Sequence, residues 1–565
     1  MKTRLSILLV LLTVAMGLAL FSASVVVAGE PRSIPDGMVS SSPTLHLNLG
    51  PTDPIIDPAF AGAQIWDAGG FVANQLFLGL VRTDDETGAP IPDLATSWAV
   101  SPDATVFTFT LRSGLTWTDG NPLTAYDARY GILRSLDPAN PVGIPAPLSW
   151  IVNAEEYKNG SITDPNLVGI MVLDYYHLKI TLEKPAAFFP TILTWPMARP
   201  MPAWAIAAHP TDWTEPANIV TNGPYKLTAW THGASMTLEK NPGYYEAASV
   251  QIGRVQFSMV DDAAAWGMYQ AGQLDSAIVP PEEWNAASND PVLAQQLHTA
   301  YSITGTFYNG FNTAKAPFDN LLVRKAFAAS VNRQGLIDTI LKYAEQPALT
   351  FTPPGVWGHV DGPAQGVGIG YDPVQARQWL AAAGYLNGTG LPPIEMVVGD
   401  NPQFQAVAAY LRQGWMNELG ATITISDMEW GAYVELLRTD APQVWQIRWW
   451  IDYQDAYNFL REGIDWIVGR APFGFWNNPA YEGLVDLAAQ TADLNTRASL
   501  YKQAEEILVE TDAVMIPIFY NANGMATKPY LQRTYGDGGF GGRIADWRII
   551  YRTFMPLILR YSGEY

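Results

Sequence analysis

The chain has 565 residues, 48% hydrophobic, 12% aromatic and only 15% charged, which is long enough for about three domains and too apolar for a disordered chain. Thirty-three Lys and Arg stand against 54 Asp and Glu, a formal net charge of -21, and no clustered basic stretch offers phosphate backbones a footing, so nucleic acid is excluded as a partner. Cysteine is absent, which removes disulfides, thiolate nucleophiles, thiolate metal sites and a lipid-attachment cysteine.

Lys2 and Arg4 precede an uncharged run over residues 5–28 that ends in Val26, Val27 and Ala28, the pattern of a secretory signal peptide spanning 1–28. The same run is long enough for a membrane anchor, but its hydrophobicity fades after Phe21 and favours cleavage near Gly29. The reading places the working form outside the cytoplasm, in the periplasm or at the cell surface.

Residues 106–111, VFTFTL, alternate large apolar side chains with Val and Thr and predict a half-buried strand. A turn follows around Asp119 and Gly120, and then Thr124 with Asp127 three residues on, a capping box that opens a helix. The Gly- and Pro-rich stretch 361–370 predicts a surface loop. Asp372 and Pro373 predict an N-cap and first helical turn, with Gly384 ending that helix, and 387–393 predict a helix-to-strand connection. Strands and helices alternate throughout, so the fold class is α/β.

The sequence carries no recognisable catalytic pattern. The six histidines, at 46, 177, 209, 232, 298 and 359, never fall within a helical turn of one another, so no local metal motif and no cofactor are expected. Gly536, Gly538 and Gly541 match a dinucleotide fingerprint formally but lack its strand-to-helix setting. Asp452, Asp455 and Glu462 lack the spacing of a calcium loop. Abundant carboxylates leave a secreted glycoside hydrolase as the enzyme alternative.

Residues 76–84 (LFLGLVRTD), 92–103 (PDLATSWAVSPD) and 107–128 (FTFTLRSGLTWTDGNPLTAYDA) resemble the opening signature of the peptide/nickel-binding family of ABC-transporter solute-binding proteins, family 5. NGPYKL at 222–227, LEKNPGYY at 238–245, AGQLD at 271–275, GFN at 310–312 and PFDNLLVRKAFAASVNR at 317–333 continue it in order. YDPVQARQWLAAAGY at 371–385, WWIDYQDAYNFL at 449–460 and IPIFY at 516–520 complete a collinear set.

The resemblance implies a two-lobed periplasmic-binding-protein fold of type II with an extra subdomain, and a ligand cleft between the lobes. By carry-over, 40–80, 206–305 and 514–565 form the first lobe, 81–205 the extra subdomain and 306–513 the second lobe. It further implies a monomeric receptor, not an enzyme, that hands an oligopeptide to ABC permease subunits in the membrane after hinge closure. An oligosaccharide receptor of the same family is the alternative, and nickel or haem ligands fit the dispersed histidines poorly.

In peptide-binding members an aspartate in a W-x-x-D-Y context meets the ligand's α-ammonium, and Trp449, Asp452 and Tyr453 reproduce it. An extended run from Arg448 through Trp450 to Asp452 would offer its main chain to a peptide as an added strand. Gln64, Trp66 and Asp67 would form the opposing wall. Gln446 stands where related proteins place a cation, with Arg448 the nearest charge. Trp430, Trp445, Trp449, Trp450 and Trp66 would be the stacking platforms of the sugar alternative.

Overall fold

The computed structural model describes residues 43–61, 68–141, 146–300, 305–468, 476–535 and 542–550. The expected export signal, the glycine triplet near 540 and Gln64, Trp66 and Asp67 lie outside the described residues.

The first lobe is built on a four-stranded sheet. Thr44–Asn48 runs parallel to Arg254–Ser258, which pairs antiparallel with Ser235–Lys240 and through it with Tyr225–Thr231. Leu45, Leu47, Val255 and Phe257 are buried at alternate positions, the period expected when one face of a strand meets a core. A second four-stranded sheet, in the order Ala95–Val100, Val106–Leu111, His177–Thr181, Ile170–Asp174, falls within the span expected for the extra subdomain. Its VFTFTL strand buries Phe107, Phe109 and Leu111, as the alternation predicts. The helix that follows, Ala125–Ser135, opens on the predicted capping box: the Asp127 carboxylate accepts the Thr124 main-chain N–H at 2.8 Å.

The second lobe carries a six-stranded sheet in the order Gln346–Pro347, Met515–Tyr520, Gly305–Phe311, Val444–Trp450, Ile394–Gly399, Ile423–Met428. Two of its inner strands, Gly305–Phe311 and Met515–Tyr520, are buried along their whole length, so both faces are covered and their sequences lose the alternation of a half-buried strand. The long helix Pro402–Leu419 packs on one face through Phe404, Val407, Leu411 and Trp415. Asp372 caps Pro373–Ala382 through the Gln375 N–H at 2.9 Å, and Gly384 beyond it has φ +96°. The stretch 361–370 is not wholly loop: Asp361 caps a one-turn helix, Gly362–Gln365.

Ser276–Ile278, Asn523–Thr527 and Leu297–Ala300 form a three-stranded sheet with Asn523–Thr527 in its middle. The chain passes from Leu297–Ala300 to Gly305–Phe311, and from Met515–Tyr520 back to Asn523–Thr527. The sequence reading assigned 514–565 to the first lobe. Strand pairing of Met515–Tyr520 with Gly305–Phe311 instead puts this strand in the second-lobe sheet, so the return passage falls after Tyr520. Among the described residues no helix is long and apolar enough to cross a membrane.

Candidate functional site

The site begins with the Val444–Trp450 strand. It pairs antiparallel with Gly305–Phe311, so that Trp450 faces Gly305, Arg448 faces Phe307 and Gln446 faces Asn309, while Trp449, Ile447 and Trp445 alternate onto the other side. Glycine is required at the ends of this ladder. A Cβ on Gly305 would stand 2.5 Å from the Trp450 ring, and one on Gly310 would stand 1.9 Å from the Trp445 ring.

The alternation separates residues that the sequence reading grouped. Arg448 and Trp450 lie on the side of helix Pro402–Leu419. The Arg448 guanidinium donates to Gln403 Oε1 at 2.6 Å and sits 4.8 Å from the Trp450 ring centre. Burial pushes its pKa down to about 10, against the pull of Glu345. Gln446 donates from Nε2 to the Phe404 carbonyl at 2.5 Å and is fully buried, so it is a core residue. Trp445 is 2% exposed and packed edge-on to Tyr308, and it cannot serve as a stacking platform. Trp430 is exposed at the start of another helix, Trp430–Asp440. Tryptophans pointing to opposite faces, one of them in the core, do not make a continuous platform.

The strand ends at Trp450 and does not continue to Asp452 as expected. Residues 452–454 bend, and a helical stretch follows whose 458–463 portion is π-helix, a form that recurs at functional sites. This bend brings Asp452 back to Trp449. Asn458 Oδ1 accepts from the Asp452 main-chain N–H at 3.0 Å and from Trp449 Nε1 at 3.2 Å. Asn458 Nδ2 donates to Asp452 Oδ2 at 2.9 Å and to Glu462 Oε2 at 2.8 Å. Asp452 and Trp449 therefore do converge, through an asparagine that sequence reasoning missed.

Burial raises the pKa of Asp452, and the Asn458 hydrogen bond only partly opposes it. Among the described residues no cation comes within ion-pair distance of this carboxylate. From the extra-subdomain span, Phe188 stacks on Tyr453 at 5.4 Å and on Tyr457 at 4.5 Å, and the Ala187 N–H donates to the Ala489 carbonyl at 2.7 Å. Asp452 is thus next in the chain to a tyrosine that packs on Phe188. The sequence did carry a signal for Asn458 and Glu462: they stand four apart in a helical stretch just past the W-x-x-D-Y pattern, the spacing that places side chains together.

Behind the bend, Asp455 is fully buried, accepts from Tyr501 Oη at 2.5 Å and lies 3.4 Å from the Arg497 guanidinium. Arg497 is 1% exposed and stacks 4.2 Å from the Trp357 ring centre. The Tyr457 N–H donates to Asp455 and the Ala456 N–H to the Trp357 carbonyl, so this pair holds the shape of the bend that presents Asp452.

Comparison with known proteins agrees with this architecture. The profile of the bacterial extracellular solute-binding proteins, family 5, matches residues 89–463. The chain is 32% identical over 507 residues to the probable deoxycholate-binding periplasmic protein YgiS of Escherichia coli, covering 88% of this chain and 89% of that one. It is 31% identical over 502 residues to the dipeptide-binding protein DppE of Bacillus subtilis, covering 87% and 90%. Among solved structures, the unliganded open form of the murein tripeptide-binding protein MppA gives a TM-score of 0.79 at 27% identity, covering 90% of this chain and 97% of that one. Another structure of Escherichia coli MppA gives 0.56 at 26% identity, covering 90% and 98%. A two-lobed α/β chain matched by that profile over most of its length belongs to the family 5 bacterial extracellular solute-binding proteins.

Proposed function

We propose that the protein is a receptor that captures an oligopeptide by its free α-ammonium at Asp452, closes about the two passages between its lobes and hands the ligand unchanged to an ABC importer. The observation that carries this reading is a half-buried, desolvated carboxylate, next to a tyrosine that packs on Phe188, with no resident cation among the described residues. Such a group is costly unless something positive completes it, and a ligand ammonium does so through charge-assisted hydrogen bonds.

The strand geometry supports main-chain recognition. The main chain of Gln446 exchanges hydrogen bonds with Tyr433 Oη on the side away from Gly305–Phe311. By the antiparallel alternation, the Arg448 main chain points the same way, past the last pairing with Ile394–Gly399 at Trp445. An extended peptide laid there would add as a strand, read by length and terminus more than by side-chain identity.

The conformation fits a receptor awaiting ligand. The chain follows the open form of MppA far better than the second MppA structure at nearly equal sequence identity, and a hinge between lobes accounts for a difference of that kind. The protein works as an exported monomer, its first 28 residues serving as the export signal. The relation to YgiS favours a second reading, a bile-acid-like amphipathic ligand. Native mass spectrometry of the purified protein separates the two: the mass of a bound peptide series supports the proposal, and a steroid or sugar mass overturns it.

A further inference from the structure

Glu462 turns the single aspartate of the site into a pair. One carboxamide nitrogen, Asn458 Nδ2, donates to both Asp452 Oδ2 and Glu462 Oε2, at 2.9 and 2.8 Å, so the two oxygens are held within reach of one small cation. The orientation of that amide is set by its other end, where Oδ1 faces two N–H donors, Trp449 Nε1 and the Asp452 main chain. Both amide hydrogens are thereby used, and neither carboxylate has an ion-pair partner among the described residues.

The other groups around Glu462 leave its charge uncompensated. Arg461, next to it in the helical stretch, turns away to Glu482, Asp486 and Asp465. Asp452 and Tyr453 face it from the bend, Asn458 from its own helix, and Lys184 acts on it from the extra-subdomain span. The Tyr453 side chain is 1% exposed, and its hydroxyl is turned to the Glu462 carboxylate. Two carboxylates that hold one amide between them, with no cation at ion-pair distance among the described residues, leave a place for a positive group from outside. Burial first, with Asp452 adding to it, lifts the Glu462 pKa to about 7, against the pull of Asn458, Tyr453 and Lys184.

We propose that Glu462 is a second ammonium-accepting carboxylate, and that ligand binding expels a proton shared by the Asp452–Glu462 pair. The ligand's ammonium keeps its own hydrogens, donates them to the carboxylate oxygens, and the proton from the Glu462 carboxyl leaves to solvent. The inference rests on the ammonium reading above and adds to it a specificity for cations that depends on pH.

Calorimetric titration with trialanine between pH 5.5 and pH 7 tests it, a range in which the peptide's α-amino group stays charged. Repeating the titration in buffers of different ionisation enthalpy counts the protons released. The expected result is net proton release at pH 6.5 and an affinity that rises about tenfold from pH 5.5 to pH 7, the linkage of a group titrating near neutrality. Glu462→Gln should bind without releasing a proton and with a flattened pH profile. Tight binding by the unaltered protein with no proton release overturns the inference, and needs no variant to fold. A Glu462→Gln profile as steep as the original overturns it too. If trialanine and longer free-amino peptides fail to bind at every pH, the ammonium reading itself falls, a failure distinct from the other two.

Discussion

Asp452 and Asp455 stand three residues apart on one bend, and burial raises the pKa of both, yet their neighbours differ. Asp455 has a resident cation in Arg497, a tyrosine hydroxyl and a main-chain N–H. Asp452 has one asparagine, and shares it with another carboxylate. A carboxylate with its counter-charge built in holds a loop in shape. One without it costs stability in the empty state and regains that cost when a ligand supplies the charge.

The contrast predicts opposite outcomes for substitution, the largest on the structural side. Arg497→Met leaves Asp455 buried without its cation and should destabilise the protein by about 3 to 5 kcal/mol in urea unfolding, the range for breaking a buried pair. Asp452→Asn, which removes a charge that has no partner, should leave stability unchanged or slightly raised in the same assay. Equal losses from both would erase the distinction.

Ligand should then act on the empty site. A free-amino peptide at 100 times its dissociation constant should stabilise the fold by roughly 2.7 kcal/mol, read as a rise in melting temperature. Small-angle scattering should show the radius of gyration falling at the same time, because closure brings the lobes together. Stabilisation at constant radius would retain binding and remove the hinge from the mechanism.

The smallest effect is the pH dependence of the empty protein. Glu462 has a pKa near 4.5 when unfolded and about 7 when folded, so the folded state binds more protons between those values. Stability contributed by this group therefore falls as pH rises from 4.5 to 7, by about 1 to 2 kcal/mol after allowing for partial solvent screening. Urea titrations across that window should show the decline, and Glu462→Gln should flatten it. A profile that Glu462→Gln leaves unchanged would place the titrating group elsewhere.

The strand at 106–111 and the caps at Thr124 and Asp372 were legible in the sequence because each rests on local rules, namely alternation of burial or a side chain that satisfies a free N–H nearby. The W-x-x-D-Y pattern likewise pointed to Asp452. The rest depends on where the strand stops. An extended run to Asp452 would have put it on the face of Arg448 and Trp450, whereas the bend after Trp450 turns it to Trp449 and Asn458. The assignment of Met515–Tyr520 failed for a similar reason: sequence position suggested the first lobe, and pairing with a strand some 200 residues earlier decided otherwise. The buried Trp445 and the exposed Trp430 look alike in sequence, and Gly310, which makes room for the Trp445 ring, shows its purpose only across the sheet.

The most direct measurement compares four affinities: the unaltered protein and Asp452→Ala, each titrated with a free-amino peptide and with its N-acetylated counterpart. If Asp452 receives the ammonium, the substitution should weaken the free-amino peptide by about 2 to 5 kcal/mol and the acetylated one far less, since acetylation has already removed the partner charge. Equal losses for the two peptides, or tighter binding of the acetylated form by the unaltered protein, would contradict the assignment.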